Sequence, residues 1–128
     1  MPTFVNASLC AIVLNYRNAA LTRRCLLSLV GQGVDLVRLV DNSDCERSFE
    51  QLDAMLCEIK LTVDFPVTLS RPKHNLGFAG GVNLAIQDDF NSHHELYLLL
   101  NNDAVLFRNA VSELRRTAAI LSNGLLFS

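Results

Sequence analysis

Three side chains with oxygen to offer, Asn101, Asn102 and Asp103, follow directly on the apolar run Leu96 to Leu100. A strand covered on both faces gains most from unbroken apolar side chains, so polar groups set at its end mark where a sheet meets solvent. Two readings are open. Asn and Asp are common wherever a strand exits into a loop, because their short side chains bond the nearby backbone. The same oxygens also suit sugar hydroxyls or a divalent cation. Comparable clusters follow three other apolar runs: Asn15, Tyr16 and Arg17 after Leu9 to Leu14, Asp41 and Asn42 after Leu36 to Val40, and Arg71, Lys73 and a glycine-rich turn after Pro66 to Ser70.

Those four runs are the expected strands, with Pro66 confining the third to a sheet edge or a strand start. Between them the hydrophobic period changes to that of a helix. Leu21, Cys25 and Leu29, with Leu26 and Val30, form a first stripe that Gly31 and Gly33 end. Ser48 with Gln51 three residues later has the form of a capping box for a second helix, whose stripe is Phe49, Leu52, Leu56 and Ile59. A third helix follows the glycines with Val82, Ile86 and Phe90 on one face, and a fourth, from about Asn109, carries Val111, Leu114, Ala118 and Leu121 before Asn123-Gly124. Regular alternation of strand and helix predicts a three-layer, Rossmann-like α/β fold, an open parallel sheet with helices on both faces.

In such a sheet all strands end on one edge, and ligands bind in the crevice there. The four polar clusters should therefore converge. Carboxylates and amides suit ribose hydroxyls or a base edge, a tyrosine ring stacks on a base, and basic side chains with open backbone amides suit phosphate. The set fits a nucleotide. The glycine turn is not a Walker A loop, which needs Lys and Ser or Thr after its last glycine, and it follows the third strand rather than the first. Gly77, Gly80 and Gly81 would let the helix start pass close to a diphosphate or sugar.

Composition bounds the rest. At 128 residues, half of them hydrophobic, the chain suffices for one domain. A net charge of −2 argues against a nucleic-acid partner. Cys10, Cys25, Cys45 and Cys57 contain no CxxC pair, so neither a zinc site nor disulfides are expected, and Cys10, Cys25 and one other fall in apolar patterns. Apolar runs are too short for a membrane helix, and no basic segment precedes the first of them. A cytoplasmic chain is expected, with the Asn6-Ala7-Ser8 sequon a chance match.

The blocks IVLNYRN, LVDNSD, NLGFAGGVN and YLLLNNDAVL together resemble family 2 glycosyltransferases of the GT-A fold, and most closely their rhamnosyltransferase-like branch. They occur in that family's order, at about its spacing, over nearly the whole chain. The resemblance implies the nucleotide-binding half of a GT-A enzyme that transfers a hexosyl or rhamnosyl group from a UDP- or dTDP-linked sugar to a glycan or lipid-linked acceptor. It implies base contacts from Asn15, Tyr16 and Asp41. Asn101, Asn102 and Asp103 stand at the DxD-type motif, with Asp103 on a Mn2+ or Mg2+ ion; Asn101 replaces an aspartate there and loses a charge. The remaining expected nucleotide contacts are Arg17, Asn42, Arg71, Gly77, Gly80, Gly81 and Asn83.

No carboxylate matches the family's catalytic base. Asp88-Asp89 and Glu113 read as solvated helix charges, and His93-His94 enters the opposite end of the fourth strand. The chain is therefore expected to be a single domain over residues 1–128 that lacks the family's acceptor half. The alternative is a module that binds a nucleotide sugar and transfers nothing. An uncovered apolar face or sheet edge would favour a homo-oligomer.

Overall fold

β1 (Leu9–Asn15) is buried at all seven positions, as a strand inside a covered parallel sheet must be. The computed structural model describes the backbone of residues 4–123 and the side chains of residues 4–117. After β1 come α1 (Ala19–Ser28), β2 (Leu36–Asp41), α2 (Glu46–Ile59), β3 (Val67–Ser70), α3 (Gly77–Asp89), a 3-10 turn (Phe90–Ser92), β4 (Leu96–Asn101) and α4 (Ala110–Asn123). The four strands form one parallel sheet in the order β3-β2-β1-β4. Winding runs outward from β1 to β3 and then resumes on the other side of β1, so strand order reverses between β1 and β4. Leu14 pairs with Asn101 and Asn15 with Asp41 across the register, which puts three strand exits side by side.

The two faces are covered unequally. Leu9, Ala11 and Val13 of β1 join Val37 and Leu39, with Cys25 and Leu26 of α1, Leu52, Met55 and Ile59 of α2 and Val111 of α4, in the main core. Cys10, Ile12 and Leu14 point the other way, against Val82 and Ala85 of α3 alone. Tyr97 and Leu99 continue that second face along edge strand β4 and remain partly exposed. Among the described residues, no helix is long and apolar enough to cross a membrane.

Several sequence expectations shift. α2 starts at Glu46 with Cys45 as an extended N-cap and no side-chain cap bond, so Ser48 lies within the helix and the capping box does not form. α3 buries Gly81, Val82, Ala85 and Asp89, whereas Ile86 is 38% and Phe90 73% exposed. Leu114 is likewise exposed beside a buried Val111, and the side chains of Ala118 and Leu121, like Gly124, lie outside the described residues. Cys10 and Cys25 are buried, but Cys45 is only half-buried and Cys57 is exposed.

The rotation of α3 follows from Asp89, which is fully buried and not a solvated helix charge. Arg38 Nε on β2 donates to Asp89 Oδ1 at 2.8 Å, and the Tyr97 hydroxyl on β4 donates to Oδ2 at 2.7 Å. His94 Nδ1 stands 2.7 Å from Oδ2. Burial alone would raise the Asp89 pKa, but hydrogen bonds from Arg38, Tyr97 and His94 outweigh it and hold the carboxyl below its ordinary value. Burial and Asp89 together push the Tyr97 hydroxyl up to about 12. Asp88 stays on the surface, taking a hydrogen bond from Ser70 Oγ at 2.9 Å.

Candidate functional site

Each of the first three strand exits turns through a left-handed residue: Arg17 (φ 51), Asp44 (φ 51) and Gly77 (φ 72). Such turns are costly for non-glycine residues and persist where surrounding bonds enforce them. At Arg17 the enforcing bonds run to Ser43: the Arg17 backbone N–H donates to Ser43 Oγ at 2.8 Å, and its Nε donates to the Ser43 carbonyl at 3.1 Å.

Asn15 is the hub of the edge. Its Nδ2 donates to Asp41 Oδ1 (3.1 Å) and Ser43 Oγ (3.2 Å), and its Oδ1 accepts from Thr22 Oγ1 (2.6 Å) and Asn102 Nδ2 (3.2 Å). Four partners exhaust a side-chain amide. Asn15 therefore ties the exits of β1, β2 and β4 together and presents no polar atom of its own. Asn102 also donates to the Asn18 carbonyl at 3.3 Å, while Asn18 Oδ1 caps α1 at Leu21. Position 102 thereby fixes the start of α1 against the end of β4.

Asp41 is 2% exposed, and its Oδ1 accepts from Asn15, the Ser43 N–H and the Ser43 hydroxyl. Its Oδ2 takes no hydrogen bond from the described residues, yet none of their buried side-chain oxygens is left unpartnered. Oδ2 thus keeps a narrow access to the surface, a single acceptor held rigidly at the edge. Asn42 does different work. Its Nδ2 donates to the Gly77 carbonyl at 3.0 Å and its Oδ1 accepts the Leu76 N–H at 3.2 Å, so it clamps the glycine turn onto β2. Gly81 lies in that clamp: a Cβ there would stand 3.0 Å from Leu14 Cδ2 and 3.1 Å from Asn42 Nδ2. A Cβ on Gly80 would come within 2.9 Å of Leu76 Cβ.

Of the other expected residues, Tyr16 is 52% exposed, with the Arg17 guanidinium 5.3 Å from its ring centre. Asn83 is exposed on α3. Arg71 turns from the β1/β4 crevice: it pairs with Glu46 at 2.6 Å and stacks on Phe49 at 4.1 Å. With Asp44, Cys45, Pro72 and Lys73 it lines a cleft of about 290 Å³ at the exits of β2 and β3. The polar groups of nearby Ser48 hold the Cys45 thiol there below its ordinary pKa.

Asn101 and Asp103 are exposed just past β4. The Asn101 carbonyl accepts from the Ala104 N–H at 3.1 Å, closing a tight turn that carries Asp103 outward. Burial, and next the Asp103 charge, push the Cys25 thiol up to about 11. An exposed carboxylate beside an exposed amide oxygen is a donor set that fits a hard divalent ion completed by ligand oxygens and waters. The turn expected at Asn101-Asn102-Asp103 and the candidate site are thus one feature.

Sequence reasoning missed Thr22 and Ser43. Both are fully buried, and both position Asn15 or Asp41. Thr22 was detectable as a polar residue one turn before Cys25 on the apolar stripe of α1; Ser43 had no signal beyond its place in the exit. Glu113 pairs with Arg116 on the α4 surface.

No family model matches the sequence and no curated protein sequence is similar to it. Solved structures do match. A crystal structure of Staphylococcus aureus TarS aligns with a TM-score of 0.63 at 18% identity, covering 91% of this chain and 20% of that one. TarS 1–349 aligns at 0.61 and 19% identity, and TarS 1–349 in complex with UDP at 0.64 and 20%; each alignment covers 91% of this chain and 32% of the other. The chain thus spans about a third or less of the length of these structures. What it shares with that portion of TarS is the fold predicted from its sequence, a Rossmann-like, open parallel α/β sheet.

Proposed function

We propose that this chain is the donor-binding part of a glycosyltransferase that uses a nucleotide-diphosphate sugar. The observation that carries the reading is the joining of Asn15, Asp41 and Asn102 across three strand exits at the point where strand order reverses. Two further findings support it: the four glycosyltransferase-like blocks fall at this edge, and the matching fold includes a TarS structure solved with UDP.

In this reading the Tyr16 ring stacks on the base and Asp41 Oδ2 accepts an N–H from the base edge. Asn15, Thr22 and Ser43 hold Asp41 in place. Gly80 and Gly81 keep the start of α3 close to β1 and β2, leaving room for the diphosphate-sugar. Asp103 would hold a Mn2+ or Mg2+ ion, with Asn101 beside it as a weaker oxygen donor. When bound, such an ion acts as a Lewis acid on the developing charge of the departing diphosphate. Rhamnosyl transfer is the narrower reading, from the branch resemblance; the acceptor is a glycan or lipid-linked saccharide.

A second reading, binding without transfer, is favoured by the state of the other carboxylates. Asp89 is sealed at the opposite edge, and Asp88 and Glu113 are engaged on helix surfaces. Calorimetry with UDP, dTDP, ADP and GDP, each with and without Mn2+, tests the common core of both readings. Selective, Mn2+-strengthened binding of UDP or dTDP is expected, and equal affinity for all four nucleotides would refute it. Transfer of sugar by the chain itself would then exclude the second reading.

A further inference from the structure

At the amino-terminal edge of the sheet, far from the strand exits, a cysteine, an aspartate and a histidine from three separate segments meet. Cys10 is the second residue of β1, Asp89 the last of α3, and His94 stands in the loop before β4. One ligand atom from each lies within 4.8 Å of the others. Cys10 and Asp89 are fully buried, and the His94 side chain is 11% exposed. Thiolate sulfur, imidazole nitrogen and carboxylate oxygen are the three ligand types that zinc takes, and their combination here excludes a preference for hard ions.

We propose that Cys10, Asp89 and His94 form a three-ligand zinc site that fastens β1, α3 and the β4 approach together. It does not depend on the reading of the strand exits. His94 Nδ1 now faces Asp89 Oδ2 at 2.7 Å. Zinc bonds of about 2.0 Å to each would set nitrogen and oxygen about 3.3 Å apart at a tetrahedral centre. A widening of about 0.6 Å turns the direct contact into His–Zn–Asp. Nearly all of the adjustment falls to His94, on the loop beside His93, which has a left-handed backbone (φ 56). Water completes the coordination from the exposed side of His94.

The surroundings supply the support that zinc ligands generally have. Arg38 Nε holds Asp89 Oδ1 and the Tyr97 hydroxyl donates to Oδ2, whose second lone pair turns toward the ion. Charges balance. The neutral thiol loses its proton to solvent as the S–Zn bond forms, so thiolate and carboxylate together offset the dication, and Arg38 remains as the only added charge among the groups bonded to Asp89.

The test uses the protein stripped with chelator and titrated with Zn2+ and with Co2+ as a spectroscopic substitute. One equivalent of metal should bind, with a thiolate-to-cobalt charge-transfer band, release of about one proton read from calorimetry in two buffers, and a rise in Tm. Cys10→Ser should abolish the band. His94→Gln should weaken affinity at least tenfold, and Cys45→Ser and Cys57→Ser should change neither. The folded wild-type protein failing to give the band in excess Co2+ overturns the proposal without recourse to any variant. So does a band that survives in Cys10→Ser, since it would come from an exterior thiol.

Discussion

The two ends of the sheet are built around one buried aspartate each, and they use it in opposite ways. Asp41, at the exits, is surrounded by amides and hydroxyls and keeps one oxygen without a hydrogen-bond partner among the described residues. Asp89, at the entrances, is closed in by Arg38, Tyr97 and His94, with both oxygens occupied. A buried carboxylate needs compensation wherever it sits. Neutral donors that satisfy half of it leave an acceptor for a ligand, whereas a cation beside it spends the charge on the fold. Function belongs with the unspent capacity, and stability with the spent.

Asp89→Ala should break that contrast most severely. It strands Arg38 in a largely buried position, and loss of one partner of such a pair costs about 3 to 5 kcal/mol. Urea unfolding should show the loss, while the fraction still folded retains its nucleotide affinity. Asp41→Ala is the mirror case. Removing a charged hydrogen-bond acceptor should weaken nucleotide binding by about ten- to a hundredfold in calorimetry. The protein should stay folded but lose about 1 to 3 kcal/mol, because the donors of buried Asn15 and Ser43 are left without their acceptor.

Gly81→Ala probes whether the clamp at the exits is as tight as it looks. Its Cβ meets Leu14 and Asn42 at 3.0–3.1 Å, and overpacking of this kind costs about 1 to 3 kcal/mol. Thermal melts should report the loss, with weaker nucleotide binding as the α3 start moves. Asn18→Ala removes the α1 cap and should cost about 1 kcal/mol. The smallest effect on stability is expected from Asp103→Ala, within about 0.5 kcal/mol for an exposed side chain. That variant should nevertheless abolish the strengthening of nucleotide binding by Mn2+, and its survival would remove Asp103 from the metal role.

Strand positions and their polar exits could be read from the sequence because short apolar runs punctuated by Asn, Asp and Gly obey local rules. Helix faces fared less well. The Val82-Ile86-Phe90 stripe has helical spacing, but α3 rotates to bury Asp89 because Arg38 and Tyr97 reach it from strands β2 and β4, 51 and 8 residues away in the chain. Similarly, Ser48 and Gln51 have the spacing of a cap, yet α2 begins three residues earlier than such a cap would set it, where Glu46 meets Arg71 from the end of β3.

Alternation of apolar runs and helical stripes dictated an open parallel sheet, and a parallel sheet brings every strand exit to one edge; that much is local chemistry plus chain geometry. Tertiary structure alone decided which polar side chains are free. Asn15 and Asn42 look like ligand contacts in the sequence and are consumed by neighbours, while Asp41 and Asp103 keep an oxygen to offer. Cys10, Asp89 and His94 show the same limit, since no spacing joins them. A hydrogen bond belongs to a pair of groups, and the partner's position is set by the whole fold.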